Sequence, residues 1–213
     1  MRSTGLFVFL LLILAACSRP LTENEEAFAR DLFGETLDTD QVTVTQGLGL
    51  APLYRTLPSS VKVLRGTDRA CLRTPQPRGA QPPQAFALHN RVSFDSQLYS
   101  SDMARAWPQA LRFPQALVLA HELTHVWQWQ NREMTGYTPA RAVAESFRLA
   151  DPYYSGDATR APFLTLGYEQ QAAVVEDFVC FTVANPDHPR RTVLREALEP
   201  FFPVAAFERA VGG

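Results

Sequence analysis

Residues 114–131 read PQALVLAHELTHVWQWQN, and the rest of the chain is read outward from them. Glu122 is the one acid in the stretch, and it holds no Lys or Arg. A segment this apolar on every side is expected as a buried helix over 115–131, with Pro114 able to sit at its first position. Inside it stands His121-Glu122-Leu123-Thr124-His125. On a helix, residues four apart lie only ~40° round from one another, so both imidazoles face one way and can share a metal ion. Glu122, one residue round from His121, can reach a water at that ion without ligating it. Two imidazoles and a carboxylate on a buried helix are costly to desolvate unless a metal is bound.

A catalytic metal needs a third protein ligand and an open fourth position. Residues 167–178 (GYEQQAAVVEDF) offer one. At helical spacing Glu169, Ala172, Ala173 and Glu176 share a face, while Val174, Val175 and Phe178 mark the packed remainder. Glu169 is the preferred third ligand and Glu176 the competitor. His188, in the Pro-flanked run NPDHP, is a weaker candidate.

The residues around the motif extend this reading. Val118, Leu119 and Ala120 precede it, Leu123 and Thr124 lie inside it, and Val126 and Trp127 follow the second histidine. This resembles the extended signature of the zincin metallopeptidases. The metzincin branch would have Gly at 128 and His at 131, where Gln128 and Asn131 stand, so the likeness is to the gluzincins. Their Glu-x-Glu-Ala form is similar to Glu169-Gln170-Gln171-Ala172 in having the ligand glutamate first. Together, HELTHVWQWQ, YEQQA and the Glu176-Asp177 pair resemble the compact zincin-like domains associated with Rhs/Vgr elements and extracellular contractile injection systems, over roughly residues 85–182.

That resemblance implies one Zn²⁺ held by His121, His125 and Glu169, and hydrolysis of a protein or peptide substrate with Glu122 as general base. It implies an α+β, zincin-like fold, a small N-terminal sheet followed by a mostly helical part. The gluzincin pattern often places an Asp four residues after the ligand glutamate to orient a metal histidine. Ala173 occupies that place here, leaving Asp177 or Glu176 as substitutes. An oxyanion partner is also implied, with Tyr153, Tyr154, Tyr168 and His188 as candidates. The strand expected at 85–95 would be the edge strand above the cleft, with His89 structural or at its rim. The alternative is a zincin-fold envelope protein without hydrolytic activity, acting as an assembly or interaction module.

The N-terminus carries an address. Arg2 precedes the apolar run GLFVFLLLILAA at 5–16, too short to span a bilayer, which needs about 20 residues, but suited to a signal peptide. It ends in Leu14-Ala15-Ala16-Cys17, which resembles the bacterial lipobox. The resemblance implies removal of residues 1–16 and lipidation of Cys17. Ser18, in place of Asp, then suggests the outer membrane, with the domain facing the periplasm. Residues 17–40 would be a lipid-anchored N-terminus with a short helix, and 41–213 the zincin-like domain.

Composition bounds the remainder. The 213 residues are 46% apolar and 20% charged, with 20 Lys+Arg against 22 Asp+Glu. That excludes a disordered chain and gives no basic field for a nucleic-acid backbone. Three cysteines are too few for a disulfide scaffold. In an oxidising compartment Cys71 and Cys180 can pair, the alternative being a plain buried thiol at Cys180. Thr22 to Glu25 reads as a capping box opening a short amphipathic helix that stops near Gly34. Strands are expected at 41–45 and 61–65, a loop over 74–83, and further helices over 139–149, 163–184, 190–199 and 204–211. Trp127 and Trp129, two apart, cannot share a helix face, so one belongs to the core and the other to an interface.

Overall fold

The computed structural model describes residues 18–47, 61–62, 71, 84–148 and 161–212. The expected signal segment 1–16, Cys17, the loop expected over 74–83, Tyr153 and Tyr154 lie outside the described residues. Among the described residues the architecture is α+β: seven helices and a small mixed sheet of four strands.

Strand β1 (Ser18–Pro20) leads into α1 (Glu23–Phe33). The expected capping box is present, with the Thr22 side chain accepting from the Glu25 amide and the Glu25 carboxylate accepting from Thr22 N. Gly34, at φ 59, ends the helix in a conformation that a side chain would disfavour. Phe28, Leu32 and Phe33 of α1 lie in the same core as the later helices, and Phe28 meets Trp107 and Phe207 edge-on. Helix α1 thus packs into the core that the later elements form.

After a 3₁₀ turn (Thr39–Gln41) comes β2 (Thr43–Gln46), then β3 (Val61–Lys62). Residues 85–95 depart from expectation. They form a hairpin, β4 (Ala85–Leu88) and β5 (Arg91–Phe94), with Leu88 opposite Arg91. His89 turns the chain at φ 56. His tolerates that left-handed region better than most residues, and the turn holds no glycine to interrupt the alternation. The sheet order is β1-β2-β5-β4, with β2 and β5 parallel and both outer pairs antiparallel. β5 is interior, its Val92, Ser93 and Phe94 buried, while β4 is an edge strand showing Phe86 and Leu88 to solvent. β6 (Arg112–Phe113) pairs separately with β3.

Helix α2 (Gln115–Gln130) carries the HExxH motif and is buried along nearly all its length. Pro114 caps it from outside instead of taking the first helical position. It packs on β4 and β5 on one side and on α5 on another. At its end Asn131 Nδ2 donates to the carbonyls of Trp127 and Thr36. Trp127 is wholly buried and donates to Thr36, while Trp129 is half-buried beside His89 and Arg132, as the two-residue spacing requires. A one-turn helix α3 (Arg132–Thr135) follows, closed by Gly136 in the left-handed conformation. Next come α4 (Pro139–Arg148), α5 (Tyr168–Ala184), α6 (Pro189–Leu198) and α7 (Val204–Gly212).

The single helix expected over 163–184 is in fact a 3₁₀ turn (Phe163–Thr165) followed by α5. The break has a cause at Gly167. Glu145 on α4 accepts a 2.7 Å hydrogen bond from Tyr168 N, and a Cβ on Gly167 would lie 2.4 Å from that carboxylate. The carboxylate caps the start of α5 and places Glu169 in its first turn. Cys71 and Cys180 form a disulfide, so the pairing left open by the sequence is present and ties residue 71 to α5.

Candidate metal centre

Helix α2 is nearly apolar all round, so tertiary packing encloses it and carries His121, Glu122 and His125 into the interior. α5 lies alongside and brings Glu169 to the histidines. His121 Nε2 is 3.1 Å and His125 Nε2 3.3 Å from the same oxygen, Glu169 Oε2. The two imidazole rings stand edge-to-face, 5.1 Å between centroids. Bonds of ~2.0–2.1 Å at tetrahedral angles hold ligand atoms ~3.3 Å apart, so each histidine stands from Glu169 at the spacing of two ligands on one metal. The group can hold a metal ion.

The donor set fits such an ion on a second count. Glu122 is buried, and its Oε2 has no hydrogen-bond partner among the described residues. A buried carboxylate oxygen left this way is expensive unless a further group occupies the site. Burial pushes the Glu122 carboxyl up to about 7. Burial also works against charge on His121, but hydrogen bonds to Glu169 and Glu176 outweigh it and raise the ring to about 10. His125 moves upward too, the charge of Glu169 prevailing over burial. Glu169 shows the reverse balance: although burial opposes ionisation, His125 and His121 hold its carboxyl well below the usual carboxylate range. Three carboxylates around two imidazoles thus make a site that attracts positive charge, whether protons or a metal.

Each histidine is held from behind by a different group. His121 Nδ1 lies 3.1 Å from Glu176 Oε2. Glu176, the competitor for third ligand, meets the nitrogen on the far side of the ring from Glu169 and is not one of the three residues whose ligand atoms converge. It stands behind the first histidine, where Ala173 offers nothing, one helical turn beyond the position the gluzincin pattern uses. His125 Nδ1 lies 2.8 Å from the side-chain oxygen of Gln128.

Other expected site residues are placed elsewhere. Asp177, one residue round α5 from Glu176, is buried against Arg190 at 3.0 Å. His188 caps α6, accepting from Arg190 N at 3.2 Å, and its ring stacks on Phe181 near the far end of α5 from Glu169. Tyr168 donates its hydroxyl to Gly136 O at 2.9 Å. His89, as expected, is exposed and lies against Trp129, with ring centroids 4.2 Å apart.

Tyr137 is the residue that sequence reasoning missed. Its ring lies 6.3 Å from that of His125 and 5.1 Å, edge-on, from that of Tyr168. Its hydroxyl has no hydrogen-bond partner among the described residues. Burial, with the negative charges of Glu169 and Glu122 nearby, pushes the phenol up to about 12, so it stays a donor. Gly136 delivers it: its left-handed φ turns the chain after α3, and its carbonyl is pinned by Tyr168 and by Arg141 Nη1 at 2.8 Å. The one sequence signal was that glycine directly before a tyrosine, soon after the HExxH helix.

No family model, curated protein or solved structure matches the chain.

Proposed function

We propose that the chain is a zinc-dependent peptidase with a zincin-like fold, tethered through a lipidated Cys17 to the outer membrane and facing the periplasm. The observation that carries the reading is the convergence of His121 Nε2, His125 Nε2 and Glu169 Oε2, with the unpartnered oxygen of Glu122 beside them. Zn²⁺ would be held by those three residues. When bound, the ion supplies a Lewis acid for the scissile carbonyl and lowers the pKa of water to about 7.

The protein's own residues do the rest. Glu122, raised to about 7 by burial, is poised to take a proton from water and to return it to the leaving amine. Tyr137 keeps its proton and offers the hydroxyl as a donor to the charge that develops on the substrate carbonyl oxygen. Glu176 and Gln128 hold the two imidazoles in place. The edge strand β4, packed on α2, offers backbone groups to an extended peptide by strand addition. Glu176 also answers the weakness that Ala173 represents, which favours hydrolysis over the non-hydrolytic module.

The lipobox supports the tether. No helix among the described residues is long and apolar enough to cross a membrane. Ser18 already pairs with Thr45, so on this reading no linker separates the anchor from the folded body. Metal analysis of the purified protein, joined to a comparison of periplasmic peptides between wild type and Glu122→Gln, tests the proposal. Stoichiometric zinc with loss of cleavage in the variant is the expected result. Zinc without any change in peptides would support the module instead.

A further inference from the structure

Gln128 is wholly buried one turn beyond His125, in surroundings where an apolar side chain would be cheaper to desolvate. All of its polar atoms are nevertheless used. Its Nε2 donates to the Tyr168 carbonyl at 3.1 Å and to Gln171 Oε1 at 3.0 Å, and its Oε1 lies 2.8 Å from His125 Nδ1. Chemistry dictates this orientation of the amide. The Tyr168 carbonyl can only accept. Gln171 spends an N–H on the Leu166 carbonyl at 2.9 Å, which turns its own oxygen toward Gln128. The amide nitrogen of Gln128 must face those two acceptors, and its oxygen is left for the histidine.

An oxygen acceptor at Nδ1 requires an N–H there. Nε2 faces the carboxylate oxygen of Glu169, so once a metal takes Nε2 the ring proton stands on Nδ1, where Gln128 accepts it. The same amide grips the carbonyl of the residue before Glu169. His125 and Glu169 are 44 positions apart on different helices, and Gln128 touches the surroundings of both.

We infer that Gln128 is a positioning residue that turns Nε2 of His125 toward Glu169 and sets the distance between them, with Gln171 locking Gln128 in turn. The inference rests on the metal-site reading above but not on peptidase activity. A Gln128→Leu variant keeps the volume and removes every bond. Gln128→Glu separates the two halves of the device: a carboxylate still accepts from His125 Nδ1 but opposes the Tyr168 and Gln171 oxygens.

The test uses histidine-¹⁵N-labelled protein, read by long-range ¹H–¹⁵N correlation, together with zinc affinity by chelator competition. With zinc bound, the wild-type protein should show His125 coordinated through Nε2 and protonated on Nδ1. Gln128→Leu should loosen the orientation of the ring and weaken zinc binding by ~10–100-fold, the range seen when groups supporting a metal ligand are lost. Gln128→Glu should keep coordination through Nε2 but still lose affinity. Gln171→Met, a milder change, should weaken zinc several-fold and serves if Gln128→Leu does not fold. Coordination of zinc through Nδ1 of His125 in the wild type, or unchanged zinc affinity in every folded variant, would overturn the inference. A wild-type protein that binds no zinc would instead sink the metal reading, and this inference with it.

Discussion

Two buried glutamates separate the structural half of this molecule from its chemical half. Glu25, at the start of α1, is fully enclosed, and both its oxygens are occupied. Arg19 reaches it with two nitrogens at 2.6 and 2.8 Å, and the amides of Thr22 and Met103 donate at 2.9 and 2.7 Å. Glu122, in the middle of α2, is almost as deeply buried, yet one of its oxygens has no partner among the described residues. A satisfied buried carboxylate pins elements together, here β1, α1 and the turn at Met103. An unsatisfied one is a cost that the rest of the fold must carry, and such costs gather where chemistry is done.

Substitutions should respond accordingly. The largest effect is expected from Glu122→Gln: hydrolysis falls by ~10²–10⁴-fold, the usual contribution of a general base, while zinc stays bound. Equal loss of zinc and activity would make Glu122 a ligand and erase its contrast with a purely structural acid. Tyr137→Phe comes next, with kcat expected to fall by ~10²-fold or more and KM to change little, as for other donors to a developing oxyanion. Unaltered kcat would return the phenol to a packing role.

On the structural side, Arg19→Ala should lower unfolding free energy by about 3 kcal/mol, because it leaves Glu25 buried without its countercharge. Chemical denaturation measures it, and zinc affinity should not move. The smallest effect is a pH trend in the metal-free protein. The folded values of Glu122 and His121, about 7 and about 10, lie above their ordinary 4.5 and 6.5. Groups raised on folding contribute stability that is complete below the ordinary value and lost as pH climbs through the folded one. Metal-free wild type should therefore lose thermal stability from about pH 5 to about pH 8 relative to Glu122→Gln. The rise in Tm on adding zinc should grow over the same interval, since zinc displaces protons from the site. A zinc-induced rise that shrinks with pH would contradict the protonation balance described.

Legibility from sequence followed the range of the interactions. The capping box at Thr22 and Glu25, the length of α2 and the common face of His121 and His125 all depend on neighbours within a turn or two, and each appears in the structure as read. Cys71 and Cys180 could be paired on paper only as one option, since their junction depends on where distant segments meet. The hairpin at 85–95 was hidden because a turn made by His89 and Asn90 preserves the alternation of a single strand. Glu176 and Asp177 could not be ranked, because which of two adjacent side chains faces α2 depends on how α5 is rotated against it. Packing turned Glu176 toward His121 and Asp177 toward Arg190.

By itself, then, the sequence determined a buried helix bearing two histidines and an acid on neighbouring lines, because helical geometry repeats every 3.6 residues whatever surrounds it. Only the tertiary structure decided what stands behind each histidine, which glutamate meets both, and which of the tyrosines lies beside them. Those choices depend on the docking of α2 against α5 and on the turn at Gly136. Contacts between residues 44 and 55 positions apart leave no periodic trace in a chain.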